Sequence, residues 1–201
     1  MIKKIKFELL VILLLVLNIF ISPILNIDLY KNFYDFILVL NNNYLKEFFI
    51  NITEIGNSLW FFLISFFGYL LSFFLKKWAN KHFTNTLKTA SLFLFTSLLV
   101  TGAITQIIKH FIGRPRPNYF KIEEPFNFNF FTFDSTFHSF PSGHTSTIFV
   151  VALILSFLTP KIKYFYLFFA FLISLSRVVV NAHYFSDVLG GIAVAFIGLK
   201  L

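Results

Sequence analysis

The chain has 201 residues, of which 57% are hydrophobic, 21% aromatic and 13% charged, with a formal net charge of +8; its mean hydropathy is +0.78. Soluble domains carry about 25% charged residues, so this composition excludes a water-facing surface, a disordered chain and a coiled coil, and it marks a membrane protein. The absence of cysteine also excludes disulfides, thiolate metal sites, thiol nucleophiles and haem attachment.

A hydrocarbon core about 30 Å thick takes roughly 20 apolar residues as helix. Six stretches meet or approach that length: Phe7 to Leu25, Leu59 to Leu75, Thr89 to Ile108, Ser142 to Thr159, Tyr164 to Val180, and Asp187 to Leu201. The expected fold class is all-α, a polytopic membrane protein with six transmembrane helices in a bundle, forming one domain over residues 1–201. The first stretch follows Lys3, Lys4 and Lys6 as a signal peptide would. Its length and the lack of a small-residue cleavage site favour an uncleaved helix. The last stretch is short for a crossing unless the bilayer thins or Lys200 snorkels.

Between the first two spans, Phe33, Phe36, Ile37 and Leu40, then Leu45, Phe48, Phe49, Ile52 and Ile55, recur at helical spacing. Charged and amide residues fall between them, the pattern of short interfacial helices; burial against the bundle would produce the same pattern. The segment His110 to Pro141 is rich in Phe, Asn and Pro without a period and reads as an irregular cap. No internal repeat is visible, which disfavours an inverted-repeat transporter. The small residues Gly190, Gly191, Ala193 and Ala195 permit close helix contact.

Cytoplasmic loops are enriched in Lys and Arg. With the N-terminus inside, Lys3, Lys4, Lys6, Lys76, Lys77, Lys81, Lys88, Lys161, Lys163 and Lys200 fall on the cytoplasmic side, and Lys31, Lys46, Lys109, Arg114, Arg116, Lys121 and Arg177 on the outer side with most of the acids. The positive charge is then mostly topology, and no nucleic-acid partner is expected.

Ionisable residues are expensive in a bilayer, so polar clusters at helix ends are functional candidates. Three such clusters share the outer side. Lys109, Arg114 and Arg116 follow the third span; Pro141, Ser142, Gly143 and His144 open the fourth; Ser176 and Arg177 close the fifth, with His183 and Asp187 leading into the sixth. Lys109, Arg116 and Arg177 supply fixed positive charge that suits phosphate. Ser142 and Gly143 at a helix start offer backbone N–H groups and the positive dipole end. His183 and Asp187, four apart on a helix, share a face, so the carboxylate can orient the imidazole. His144 is left to handle a proton. Singly, each feature has a plainer reading: a headgroup anchor, a helix cap, a structural His/Asp pair. Their convergence on one compartment is what points to chemistry.

Lys109, six residues, Arg116-Pro117; Pro141-Ser142-Gly143-His144; and Ser176-Arg177, five residues, His183, three residues, Asp187 together resemble the tripartite signature of the type 2 phosphatidic acid phosphatase superfamily. Ile52, Thr53, Gly56 and Ser58 also look like its membrane branch. The resemblance implies a metal-independent phosphohydrolase without cofactor, acting on a lipid phosphate through a phosphohistidine. His183 would be the nucleophile, Asp187 its orienting partner and His144 the proton donor and later the base. Lys109, Arg116, Ser142, Gly143 and Arg177 would hold the phosphate oxygens. Ala182 and Phe185 depart from the Gly and Pro that many relatives carry there. The signature leaves Arg114, His110 and His138 without a role.

The expected activity is hydrolysis of a phosphomonoester or diphosphate headgroup at the periplasmic face of a bacterial inner membrane, on phosphatidylglycerophosphate, phosphatidic acid, undecaprenyl diphosphate or lipid A. A phosphotransferase that passes the phosphoryl group to another lipid hydroxyl would use the same residues. A channel or transporter would instead place its ionisable residues in mid-span.

Overall fold

The computed structural model describes residues 43–119 and 127–200. The expected span Phe7 to Leu25, the Phe33 to Leu40 segment and Lys121 lie outside the described residues. Among these residues all regular structure is helical: α1 (Asn43–Glu54), α2 (Ser58–Phe74), α3 (Lys81–Ile112), α4 (Gly143–Leu158), α5 (Lys163–Val179) and α6 (Phe185–Gly198), joined in places by short 3-10 turns.

The sequence dictates the helix ends locally. Asn57 and Asn80 each turn a side-chain oxygen back onto the amide two residues on, Leu59 at 3.1 Å and His82 at 2.8 Å, satisfying N–H groups that a helix start leaves unpaired. The expected span Thr89 to Ile108 is therefore only the middle of a 32-residue helix: hydropathy locates a bilayer crossing, whereas caps locate the ends of a helix. At the other end of α3, Gly113 takes φ 56°, ψ 48° and returns its N–H to the Lys109 carbonyl. That left-handed conformation suits glycine, and an added Cβ would also lie 1.7 Å from the Asn129 carbonyl oxygen.

Three helical stretches are long and apolar enough to cross a bilayer: Glu47–Lys77, Lys81–Tyr119 and Pro160–Val179. Gly143–Leu158 and Phe185–Gly198 are apolar but shorter, about 24 and 21 Å at 1.5 Å per residue. In α2 and along most of α3, inside and outside are inverted relative to a soluble bundle. The buried side chains of α2 are Ser65 and Ser72, and α3 buries Thr84, Ser91, Ser97, Thr101 and Thr105, while Trp60, Phe66, Phe67 and Phe74 are exposed. Lipid is as apolar as Phe, so helix contacts go to small side chains that let backbones approach.

Helix α4 is the hub, packing against α3, α5 and α6; α2 lies on α3, and α1 lies against α5. Its Ile148, Phe149, Val150, Ala152 and Ile154 form the core with Leu98, Ala170, Ile173 and Ala195. The small-residue stripe of α6 is used within the chain: a Cβ on Gly191 would come within 2.6 Å of the Ser142 carbonyl oxygen and 2.8 Å of Thr145 Cβ. That approach brings the start of α6 against the start of α4, where the Ser142 N–H donates to the Asp187 carbonyl at 3.0 Å.

Candidate active site

The ends of four helices meet at one end of the bundle. Lys109 comes from the last turn of α3, His144 from the first turn of α4, Arg177 from the last turn of α5, and His183 and Asp187 from the entry to α6. Lys76, Lys77, Lys161, Lys163 and Lys200 lie near the opposite helix ends. The clusters separated in sequence thus form one site. His144 lies within electrostatic reach of Arg177, His183, Lys109 and Arg116, and His183 within reach of Lys109, Asp187 and Arg177.

Each of these three cations has a hydrogen-bond partner within the protein. Lys109 is buried and its Nζ donates to the His138 carbonyl at 2.7 Å. Arg116 donates through Nε to the Ser135 carbonyl at 3.0 Å, and its own N–H is fixed by the Thr136 carbonyl. Arg177 donates through Nη1 to Thr53 Oγ1 at 3.0 Å, while its Nε is buried with no partner. Ser142 is the N-cap of α4. Its Oγ accepts from the Thr145 hydroxyl at 3.0 Å and, more weakly, from the Thr145 N–H at 3.4 Å, and it keeps its own proton to donate. Gly143 is the first residue of α4, where a backbone N–H has no intrahelical partner.

His183 is 2% exposed and Asp187 fully buried. The imidazole Nδ1 stands 3.5 Å from Asp187 Oδ2, within ion-pair range but outside hydrogen-bond geometry. Burial pushes the imidazole down to about 4, the Lys109 and Arg177 cations adding to that effect against the pull of the Asp187 carboxylate. The ring is therefore neutral at neutral pH and carries a lone pair.

Two neighbours of Asp187 had no role assigned from the sequence. Arg114, 3% exposed, donates to Asp187 Oδ1 at 2.6 Å. Ser139 Oγ donates to Oδ2 at 2.5 Å, and the Tyr184 N–H donates to the same oxygen at 2.9 Å. An Arg wedged between Gly113 and Pro115 in so apolar a chain was a signal for the first; nothing in the sequence distinguished Ser139. His110 and His138 lie together at the site's edge with ring centroids 4.5 Å apart. The departures at Ala182 and Phe185 leave the turn closed: Asn181 takes φ 59°, and the N–H groups of Ala182 and His183 both return to the Arg177 carbonyl.

With its carboxylate engaged by Arg114 and cations on the other sides, this site suits an anion. Among the described residues no group of three or more His, Asp or Glu gathers as metal ligands would. The sequence profile of the PAP2 superfamily matches residues 90–201, a stretch that contains every cation and both histidines of the site. The chain belongs to the PAP2 superfamily. Two curated PAP2 relatives are similar: the lipid A 1-phosphatase of Rhizobium etli, 33% identical over 154 residues, covering 71% of this chain and 63% of the relative, and the lipid phosphate phosphatase 2 of Arabidopsis thaliana, 35% identical over 141 residues, covering 56% and 48%. The chain spans less than two thirds of the length of these relatives. Among solved structures, the transmembrane PAP2-type phosphatidylglycerolphosphate phosphatase of Bacillus subtilis shares the fold, with a TM-score of 0.67 at 20% identity, covering all of this chain and 95% of that one. LpxE of Aquifex aeolicus is similar at TM-score 0.59 and 25% identity, covering 88% and 96%.

Proposed function

We propose that this PAP2 protein is a metal-independent lipid phosphatase that hydrolyses a phosphomonoester or diphosphate headgroup through a phosphohistidine on His183. One observation carries the reading: a buried imidazole paired with Asp187 and standing among the Lys109 and Arg177 cations. Nε2 of His183 attacks phosphorus, the bond from phosphorus to the lipid oxygen breaks, and His144, protonated once the bound phosphate anion offsets the cations around it, gives that oxygen a proton. His144 then takes a proton from water as the water attacks the phosphohistidine; the P–N bond breaks and phosphate leaves. Lys109, Arg116, Arg177, the Ser142 hydroxyl and the Gly143 N–H hold the equatorial oxygens, where charge spreads in the transition state.

The lysines at the opposite helix ends support a cytoplasmic N-terminus, six spans and a site on the periplasmic side of a bacterial inner membrane. The names of the relatives support lipid A and phosphatidylglycerophosphate as first substrates to try, with phosphatidic acid and undecaprenyl diphosphate beside them.

The test is phosphate release from these lipids dispersed in detergent with chelator present. Release by the wild type, none by His183→Ala, and label from the substrate trapped on His183 are expected. Release that stops with chelator, or persists in His183→Ala, would sink the mechanism. Heavy oxygen from solvent water in the released phosphate separates hydrolysis from transfer to a lipid hydroxyl.

A further inference from the structure

Arg114 falls outside the phosphate-binding positions, yet it is the most deeply buried arginine of the site. Its Nη1 donates at once to Asp187 Oδ1 at 2.6 Å and to Ser186 Oγ at 2.8 Å. Its guanidinium carbon sits 4.2 Å from the centroid of the Tyr184 ring. Oδ2 of the same carboxylate takes hydrogen bonds from Ser139 and the Tyr184 N–H, and His183 Nδ1 stands farther off at 3.5 Å. The carboxylate is thus aimed at the imidazole by other donors and has its charge matched by a cation outside the proposed phosphate-binding set.

We propose that Arg114 is a positioning residue that anchors Asp187 and offsets its charge, so that Asp187 can orient the His183 ring without drawing a proton onto it. The inference rests on the reading of His183 as nucleophile. A buried carboxylate with no cationic partner is strongly disfavoured, and the cheapest relief within reach is to protonate the adjacent imidazole. An imidazolium has no lone pair on Nε2 and cannot attack phosphorus. The charged and titratable groups facing His183 are Lys109 from α3, His144 from α4, Arg177 from α5 and Asp187 from α6, with Arg116 beyond them. Lys109 and Arg177 oppose protonation, Asp187 favours it, and Arg114 reduces what Asp187 can do.

The experiment compares full-length wild type with Arg114→Gln and Arg114→Lys in detergent, following kcat/KM against pH and the His183 imidazole by 15N NMR, assigned by its loss in His183→Asn. Arg114→Gln is expected to move the acid limb and the His183 titration up together by about one unit or more, the scale on which a neighbouring charge acts. Arg114→Lys, keeping the charge, should leave both near their wild-type pH while lowering turnover. If Arg114→Gln fails to fold, Ser139→Ala removes another donor from the same carboxylate and should shift both readouts in the same direction by less. Activity that falls evenly at all pH with an unmoved titration would overturn the proposal and leave Arg114 a structural residue. The two readings separate cleanly: a shifted titration with no label trapped on wild-type His183 sinks the phosphohistidine, and trapped label with an unshifted titration sinks the role of Arg114.

Discussion

Thr53 and Arg177, 124 residues apart, are joined side chain to side chain by a 3.0 Å hydrogen bond from Nη1 to Oγ1. The bond carries α1 into the site, because it steadies the guanidinium whose buried Nε has no protein partner. Hydrogen bonds to charged groups are worth about 1.5–3 kcal/mol. Thr53→Val should therefore lower kcat/KM roughly ten- to a hundred-fold, and Thr53→Ser should restore most of it. Steady-state kinetics on the dispersed lipid check this; full activity in Thr53→Val would show that Arg177 needs no support from α1.

Gly56, in the turn between α1 and α2, leaves room for the His144 ring. A Cβ there would meet Ile173 Cγ2 at 3.1 Å and His144 Cδ2 at 3.2 Å. Gly56→Ala is expected to displace the His144 ring by a few tenths of an ångström and lower kcat several-fold, and Gly56→Val to lower it about a hundred-fold, since misplacement near 1 Å carries that penalty. Equal turnover in glycine, alanine and valine variants would refute the contact.

The pH dependence follows from His183. Its pKa is lowered from 6.5 to about 4, so the proposed nucleophile stays unprotonated down to that pH, and the limb of kcat/KM that it would control lies well below the ordinary histidine range. Linkage gives a matching sign for stability. The unfolded chain takes up this proton as pH falls through 6.5 and the folded chain only near 4, so His183 reduces stability progressively across that window. Replacing His183 by Asn should flatten the decline of melting temperature between pH 6.5 and 4. An unchanged decline would mean that His183 is not held neutral.

Gly113 bears on folding more than on chemistry. A side chain at φ 56° costs about 1–2 kcal/mol, and the collision with the Asn129 carbonyl adds to it. Gly113→Ala should lower the melting temperature in detergent and, by shifting Arg114, also turnover. A variant as stable as wild type would show that the 127–130 segment of the cap can move aside.

Arg116→Lys keeps the charge and loses the planar fork. Because Nε is already committed to the Ser135 carbonyl, a lysine cannot both brace itself there and meet an oxyanion. We expect KM to rise and kcat to fall by at least about ten-fold, the loss of one charge-assisted bond; unchanged kinetics would remove Arg116 from the phosphate site.

What could be read from order alone was whatever depends on near neighbours. Apolar runs announce helices in lipid. The spacing of His183 and Asp187 suggests one helix face, but His183 precedes α6, and the turn that returns its N–H to the Arg177 carbonyl carries its ring to 3.5 Å from the carboxylate. The full reach of α3 was already less visible, since its first turns are not apolar. Packing decided the rest. Arg114 and Asp187 are 73 residues apart and Ser139 and Asp187 are 48 apart; their meeting depends on how closely α6 settles against α4, through Gly191. No local pattern encodes that distance. A buried charge finds its partner only when the helices that carry the two ends have been brought into contact.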